Sequence, residues 1–504
     1  MSDARAEAAG GEHSAPVIST VAGTRTARST GDGGPAVEAE VNGPYGIAVD
    51  STGTLYIAEY GSHRIRRITT DGKIGTIAGN GSAGPQGDNG PALSAQLNYP
   101  CGVAVDSAGA VYIADHGNHR VRKVVDGKIS TFAGTGAAGS QGDNCPATSA
   151  QLNYPFGVAV DSAGAVYIAE YGSHRVRKVV DGKISTFAGT GAAGSQGDNC
   201  PATSAQLNHP IGVAVDGSGA LYISEYNSHR VRKVVDGKIS TFAGTGAAGS
   251  QGDNCPATSA QLNYPREVAV DSTGAVYIAD ANSHRVRKVV DGKISTVAGT
   301  GTAGYQGDKC PPLSAQLNSP FGLAVDCVDT LYITDYANHR VRKLPSARMA
   351  GLPESGTVVS WANVRSRLRM GVLRESTKDG AEIHQLLAAS RDHQRWRLIA
   401  AGQDGGDVLY RIENVRSGKV LEVVGAQEAP GAMVAQRAYG GADARHQHWR
   451  LIPVGSVTDT PRVYEIANRN SGLLLRVDTN ARTVVKQYGA EGDHRDRQWQ
   501  LLPV

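Results

Sequence analysis

The sequence predicts an all-β protein in two parts, a ring of six four-stranded blades followed by a smaller barrel built from three units. Three observations predict it. A tract of about 55 residues recurs down the first two thirds of the chain, and such a fixed period marks a propeller, a solenoid or an array; its segment HRVRKVVDGKIST is verbatim from His119, His174, His229 and His284. The last copy stops short, at HRVRKLPSARMAG, while the chain start supplies the missing piece, VISTVAGT at Val17–Thr24 matching KISTVAGT at Lys293–Thr300. Beyond residue 355, three further units end in the tryptophan segments HQRWRLI, HQHWRLI and DRQWQLL.

Within one unit, Tyr154 to Thr190, the elements follow in order. GVAVD is a first strand of small and β-branched residues, suited to burial on both faces between neighbouring sheets. SAG turns the chain into AVYIA, and a Gly/Ser-bearing loop leads to HRVRKVV. Asp181-Gly182 makes a tight hairpin turn into KISTFAG, the fourth strand. The segment CPATSAQL of the long connection reads as a helical turn with a capping Asn and an early Pro. Four strands per unit mark a propeller blade, and the aspartates that end the first strands count six: Asp50, Asp106, Asp161, Asp216, Asp271 and Asp326. The amino-terminal segment is expected to complete the sixth blade, which pairs otherwise exposed strand edges and closes the ring.

The pattern P-x-G-V-A-V-D, Y-I-A-D/E, N/S-H-R-V-R-K-V resembles the NHL repeat family over about 330 residues in six copies. The resemblance implies a six-bladed NHL β-propeller that serves as a binding platform; some relatives are lyases or other hydrolytic enzymes with a metal in the central channel.

The chain has 504 residues, 40% of them hydrophobic, and a net charge of +3, which makes no electrostatic case for nucleic acid or membrane. RNA binding by the propeller is further disfavoured because residues 1–355 carry 29 Lys and Arg against 31 Asp and Glu. The start, MSDARAEAAGGEHSAP, holds no apolar stretch of signal-peptide type, and no run reaches a membrane-spanning length. Six cysteines without a CxxC pair read as reduced thiols, so a cytoplasmic monomer is expected. All four tryptophans follow residue 355 and every Cys and Phe precedes it. The expected organisation is a disordered tail over 1–16, the propeller over 17–345 with 17–24 closing the last blade, a linker over 346–356, and the barrel over 357–504.

Function is expected where the units differ, on the face carrying the long loops. After the proline that opens each first strand stand Tyr45, Cys101, Phe156, Ile211, Arg266 and Phe321. After the acidic residue of the second strand stand Tyr60, His116, Tyr171, Tyr226, Ala281 and Tyr336. These aromatics form a collar suited to peptides or sugars, and alternatively pack between blades. The sharpest departure is Arg266-Glu267, where the other units have glycine at the second position; the pair is either functional at the channel mouth or a structural ion pair. A peptide, protein or glycan ligand at Tyr45, Tyr60, Phe156, Tyr171, Tyr226, Arg266, Glu267, Phe321 and Tyr336 is the preferred reading. The alternative is a lyase or hydrolase using Arg266, Glu267, His116 and His209, with a divalent metal in the channel. The repeated histidines His63, His119, His174, His229, His284 and His339 are spaced round the ring rather than round one ion, so no metal ligand is assigned to them. The second-strand acids from Glu59 to Asp335 are read as loop-tying, and the loop aspartates Asp88, Asp143, Asp198, Asp253 and Asp308 as turn caps.

The carboxy-terminal units resemble the ricin B-type lectin family, which implies a C-terminal β-trefoil with core tryptophans. Gln394-Arg395-Trp396 and Gln447-His448-Trp449 keep the Q-x-W motif, and Arg497 breaks it in the third unit. By the same resemblance, the sugar-binding Asp positions read Arg369, Glu422 and Arg476, the aromatics Tyr439 and Tyr488, and the Asn positions His393, His446 and Asp496. Glu422, Tyr439 and Tyr488 are the carbohydrate-binding candidates of a trefoil used for targeting or sugar binding.

Overall fold

The computed structural model describes residues 16–346, 352–353, 355–389, 391–404, 407–454, 462–477, 484–489 and 497–503. They divide into two compact units, one running from Pro16 to Pro345 and the other holding the residues from Ser346 onward. The expected tail (1–15), parts of the linker (347–351, 354) and Asp496 lie outside the described residues.

The first unit is a six-bladed propeller. Each blade is an antiparallel sheet whose strands follow chain order, for example Pro155–Val160, Val166–Glu170, Arg175–Val180 and Lys183–Ala188. The CPATSAQL segment makes the expected single turn, a 3-10 turn over Ala147–Ser149, but the residue at its N-cap is Pro146 with no side-chain capping bond, not the expected Asn, as in the equivalent loops. In the sixth blade the outer strand is Ser19–Ala22, paired antiparallel with Arg340–Leu344. Thr20 donates a hydrogen bond to Asp308 (3.1 Å), as Thr186 does to Asp143 and Thr241 to Asp198 in complete blades. The amino-terminal strand thus reproduces the side-chain bond of an ordinary fourth strand.

Between every two blades lies an apolar core. One cluster joins Tyr112, Val121 and Ala133 of the second blade to Val158, Val166 and Ile168 of the third; another joins Ala324 and Val341 of the last to Ile47 and Ile57 of the first. The innermost strands approach so closely that a Cβ on Gly46 would lie 2.3 Å from the Cys101 carbonyl oxygen, and one on Gly322 2.3 Å from that of Tyr45. Five of the six blades carry glycine at this position, and the fifth carries Glu267.

The second unit is a closed barrel. Val358–Asn363, Trp396–Asp404, Asp407–Asn414, Trp449–Val454, Val463–Asn468 and Gln498–Pro503 pair in sequence, and the last pairs back onto the first. Three hairpins, opened by Arg369–Val372, Val420–Val423 and Leu474–Val477, repeat in step with them. The indole N–H groups of Trp396, Trp449 and Trp499 donate to the carbonyls of Met370, Leu421 and Leu475, one in each hairpin. This pseudo-threefold arrangement is a β-trefoil, with its tryptophans in the core.

Candidate functional site: the aromatic collar of the propeller

The residues that open the first strands converge on the loop-rich face. Tyr45, Cys101, Phe156, Ile211, Phe321 and the neighbouring Ala281 form one buried cluster, with Tyr60, Tyr171, Tyr226 and Tyr336 partly buried around it. The predicted collar therefore has two tiers. Tyr45, Phe156 and Phe321 are its floor and are largely covered by other rings. Tyr45 lies 4.7 Å from Phe321 and 5.2 Å from Phe156, and Phe321 stacks on Tyr336 at 4.2 Å.

A third tier comes from the residue before the proline, which adopts positive φ. Tyr99 packs on Tyr60 and His63, each at 4.7 Å. Tyr154 packs on His116 and His119, and Tyr264 on Tyr226 and His229. His209 occupies the same place against Tyr171 and His174. Tyr99 and Tyr154 are the most open of these rings, each 43% exposed. The stacking of this position between two aromatic residues of the preceding blade has no signature in the local sequence.

The six repeated histidines have a structural role. Each sits in the left-handed region, with φ of 50–53°. The Nδ1 of His63, His119, His174, His229, His284 and His339 accepts the backbone N–H of the pre-proline residue in the next blade, at 3.1–3.2 Å. Burial lowers the pKa of every one, which favours the neutral acceptor form.

The second-strand acids are also structural. Glu59, Asp115, Glu170, Glu225, Asp280 and Asp335 are wholly buried, and each faces a buried arginine of the third strand, as Glu170 does Arg177 at 3.2 Å. The loop aspartates, expected as turn caps, are instead ion-paired: Asp88, Asp143, Asp198, Asp253 and Asp308 pair with Arg122, Arg177, Arg232, Arg287 and Arg342 at 2.7–3.2 Å. Each long loop is thereby pinned to the following blade.

Arg266 and Glu267 do not form the ion pair that sequence left open. Consecutive strand residues diverge, and these two go to different places. The Arg266 guanidinium lies 4.4 Å over Tyr226, 4.3 Å over Phe321 and 5.7 Å over Tyr45, and donates a hydrogen bond to the Tyr45 hydroxyl. The Glu267 carboxyl turns toward the fourth blade, where a Cβ on Gly212 would lie 2.6 Å from Oε1. It accepts the backbone N–H of Val268 at 3.2 Å, and burial pushes its pKa up to about 8. Ser224 clamps the same junction, accepting the Gly212 N–H at 2.8 Å and donating to the Arg266 carbonyl.

His116 and His209 are each engaged away from that pair. His116 Nδ1 lies 3.3 Å from the Pro155 carbonyl, and burial lowers its pKa to about 4. His209 Nδ1 lies 2.8 Å from the side chains of both Asn208 and Asn227. Among the described residues no group of three or more His, Cys, Asp or Glu side chains could hold a metal ion.

In the trefoil, Glu422 is 1% exposed, bound by Arg437 Nε at 2.6 Å and Gln447 Nε2 at 3.2 Å. Its oxygens face the protein rather than a ligand. The Tyr439 hydroxyl meets His448 Nε2 at 3.0 Å, and Arg411 lies 4.6 Å over its ring. Arg476 lies 5.6 Å over Tyr488. The Q-x-W glutamine Gln394 bonds the backbone at Leu387 and Ala389, a framing role.

These geometries agree with the comparisons. Residues 97–124, 152–179, 207–234 and 262–289 match the NHL repeat, and 17–86 match the teneurin NHL domain. Residues 349–437 and 393–488 match the ricin-type beta-trefoil lectin domain-like family. The chain is 31% identical over 282 residues to Protein SUPPRESSOR OF QUENCHING 1, chloroplastic, of Arabidopsis thaliana, covering 52% of this chain and 26% of that protein. It is 28% identical to NHL repeat-containing protein 2 of Gallus gallus, covering 60% and 46%. The chain thus spans less than half the length of these curated relatives. A solved protein of unknown function from Bacteroides thetaiotaomicron shares the fold, with a TM-score of 0.50 and 20% identity over 66% of this chain and 76% of that one. The chain carries NHL repeats in its N-terminal part and a ricin B-type lectin domain at its C-terminal end.

Proposed function

We propose that the loop-rich face of the propeller binds a peptide, as a free ligand or a segment of a partner protein, in the aromatic collar, and that the trefoil targets the complex. The observation that carries this reading is the upper tier of rings, Tyr99 and Tyr154 exposed and His209 and Tyr264 half-buried, each stacked on the blade behind. Rings fixed in this way lose little entropy when a ligand packs on them. The second-strand acids, which could otherwise bond sugar hydroxyls on this face, are buried against arginines. The trefoil supports targeting better than sugar binding, since a sugar at Glu422 must first displace Arg437. Exposed thiols at Cys145, Cys200 and Cys255 suit a reducing compartment, and we place the protein in the cytoplasm as a monomer.

Catalysis is the weaker reading, because Arg266, Glu267, His116 and His209 are each tied to different neighbours. Calorimetric titration of the full chain with peptide and glycan libraries tests the proposal. Tyr99→Ala and Tyr154→Ala should each weaken the selected peptide about fivefold to tenfold, the worth of one aromatic contact. Unchanged affinity in both variants would move the site off the collar, and selection of glycans alone would refute the peptide reading.

A further inference from the structure

We propose that Arg266 is an anion subsite in the floor of the collar, taking the carboxylate of a peptide ligand. The inference rests on the collar reading and specifies its ligand. Arg266 is the one charged residue among the six that open the first strands. Its faces are covered by Tyr226 and Phe321, which leaves the edge of the guanidinium as its hydrogen-bonding surface. Nη1 reaches the Tyr45 hydroxyl, a neutral partner, and Nε is buried with no partner among the described residues.

No carboxylate of the described residues forms an ion pair with Arg266. The adjacent Glu267 faces the fourth blade and bonds the backbone. The second-strand acids are buried against their own arginines. A cation held among rings without an opposite charge is costly, and an arriving anion offsets that cost. The planar fork of arginine matches a carboxylate in a bidentate arrangement. A single guanidinium balances one negative charge, which favours a carboxylate over a phosphate dianion.

The equivalent residues supply a conservative test. Phe156 and Phe321 occupy this position in the third and sixth blades, so Arg266→Phe restores a residue the ring already accommodates. Four probes are titrated into the full chain and followed by saturation-transfer NMR and calorimetry: N-acetyl-tyrosyl-phenylalanine as the free acid, its amide, N-acetyl-aspartyl-phenylalaninamide and glucuronate. The wild type should bind one of the two acidic peptides at least tenfold more tightly than the neutral amide. Arg266→Phe and Arg266→Gln should abolish that preference, and Arg266→Lys should keep part of it. Which acid wins distinguishes a chain-terminal from a side-chain carboxylate.

Equal binding of acid and amide by the wild type would overturn the subsite. So would tighter binding of glucuronate than of either acid, or no binding of any probe. If acid and amide bind equally but Tyr99→Ala and Tyr154→Ala weaken both, the collar reading survives alone. If the tyrosine variants change nothing, that reading falls as well.

Discussion

Glu267 stands where five other blades have glycine, and its neighbours explain why the substitution has consequences. The position faces backbone of an adjacent blade within 2.2–2.5 Å of a Cβ at Gly46, Gly102, Gly157, Gly212 and Gly322. A carboxyl accommodated here loses water, and burial raises its pKa from 4.5 to about 8. The native state therefore binds this proton more tightly than the unfolded chain. Its contribution to stability is complete below about pH 4.5 and is lost as pH rises toward 8. Glu267→Gln should remove that loss and be more stable than the wild type by roughly 4 kcal/mol at pH 8.5, and by no more than about 1 kcal/mol at pH 5. Urea unfolding at both pH values reads the outcome. At the same scale, Arg177→Ala should cost roughly 3–5 kcal/mol, because it leaves Glu170 buried without its counter-charge.

At the scale of the blade, two polar devices repeat on the apolar inter-blade cores. One is the buried arginine between a second-strand acid and a loop aspartate. The other is the histidine that accepts an N–H from the next blade. The second confers acid sensitivity, because burial lowers the pKa of the histidines below 6.5 and a protonated Nδ1 cannot accept. The native state binds these protons less tightly than the unfolded state. The stabilisation is whole above about pH 6.5 and is lost as pH falls through the lowered native values. Replacing His119 and His174 together by Asn, which tolerates positive φ, should cost about 2 kcal/mol at pH 7.5, near 1 for each latch. The double variant should also lose less stability than the wild type between pH 7.5 and 5.5. An identical pH response in both proteins would exclude the latches as its source.

The propeller as a whole depends on a strand from the far end of its sequence. Ser19–Ala22 supplies the outer strand of the last blade, and Ile18 lies in the core between the fifth and sixth blades. Removing residues 1–24 would expose the edge of Arg340–Leu344 and strip Thr20 from Asp308. The truncated protein should lose several kcal/mol, as expected for a deleted strand with buried side chains. It should also associate through the open edge. Thermal melting and light scattering test both outcomes, and an unchanged melting temperature with a monomeric profile would contradict the closure.

The sequence alone determined the blade number, the strand order within a blade and the split repeat that closes the ring, because these follow from local periodicity and turn chemistry, while the core role of the trefoil tryptophans came from the family resemblance. It also marked Arg266-Glu267 as the departure from the repeat. Only the tertiary structure decided what those residues do. Whether Arg266 meets Glu267 or three rings from other blades depends on contacts between residues far apart in the chain, which no local pattern encodes. The same holds for Glu422, sealed by Arg437 across a hairpin, and for the loop aspartates, whose arginine partners lie 34 residues further on in the next blade. Strand identity is local chemistry, whereas the fate of a charge is set by what the closed ring brings beside it.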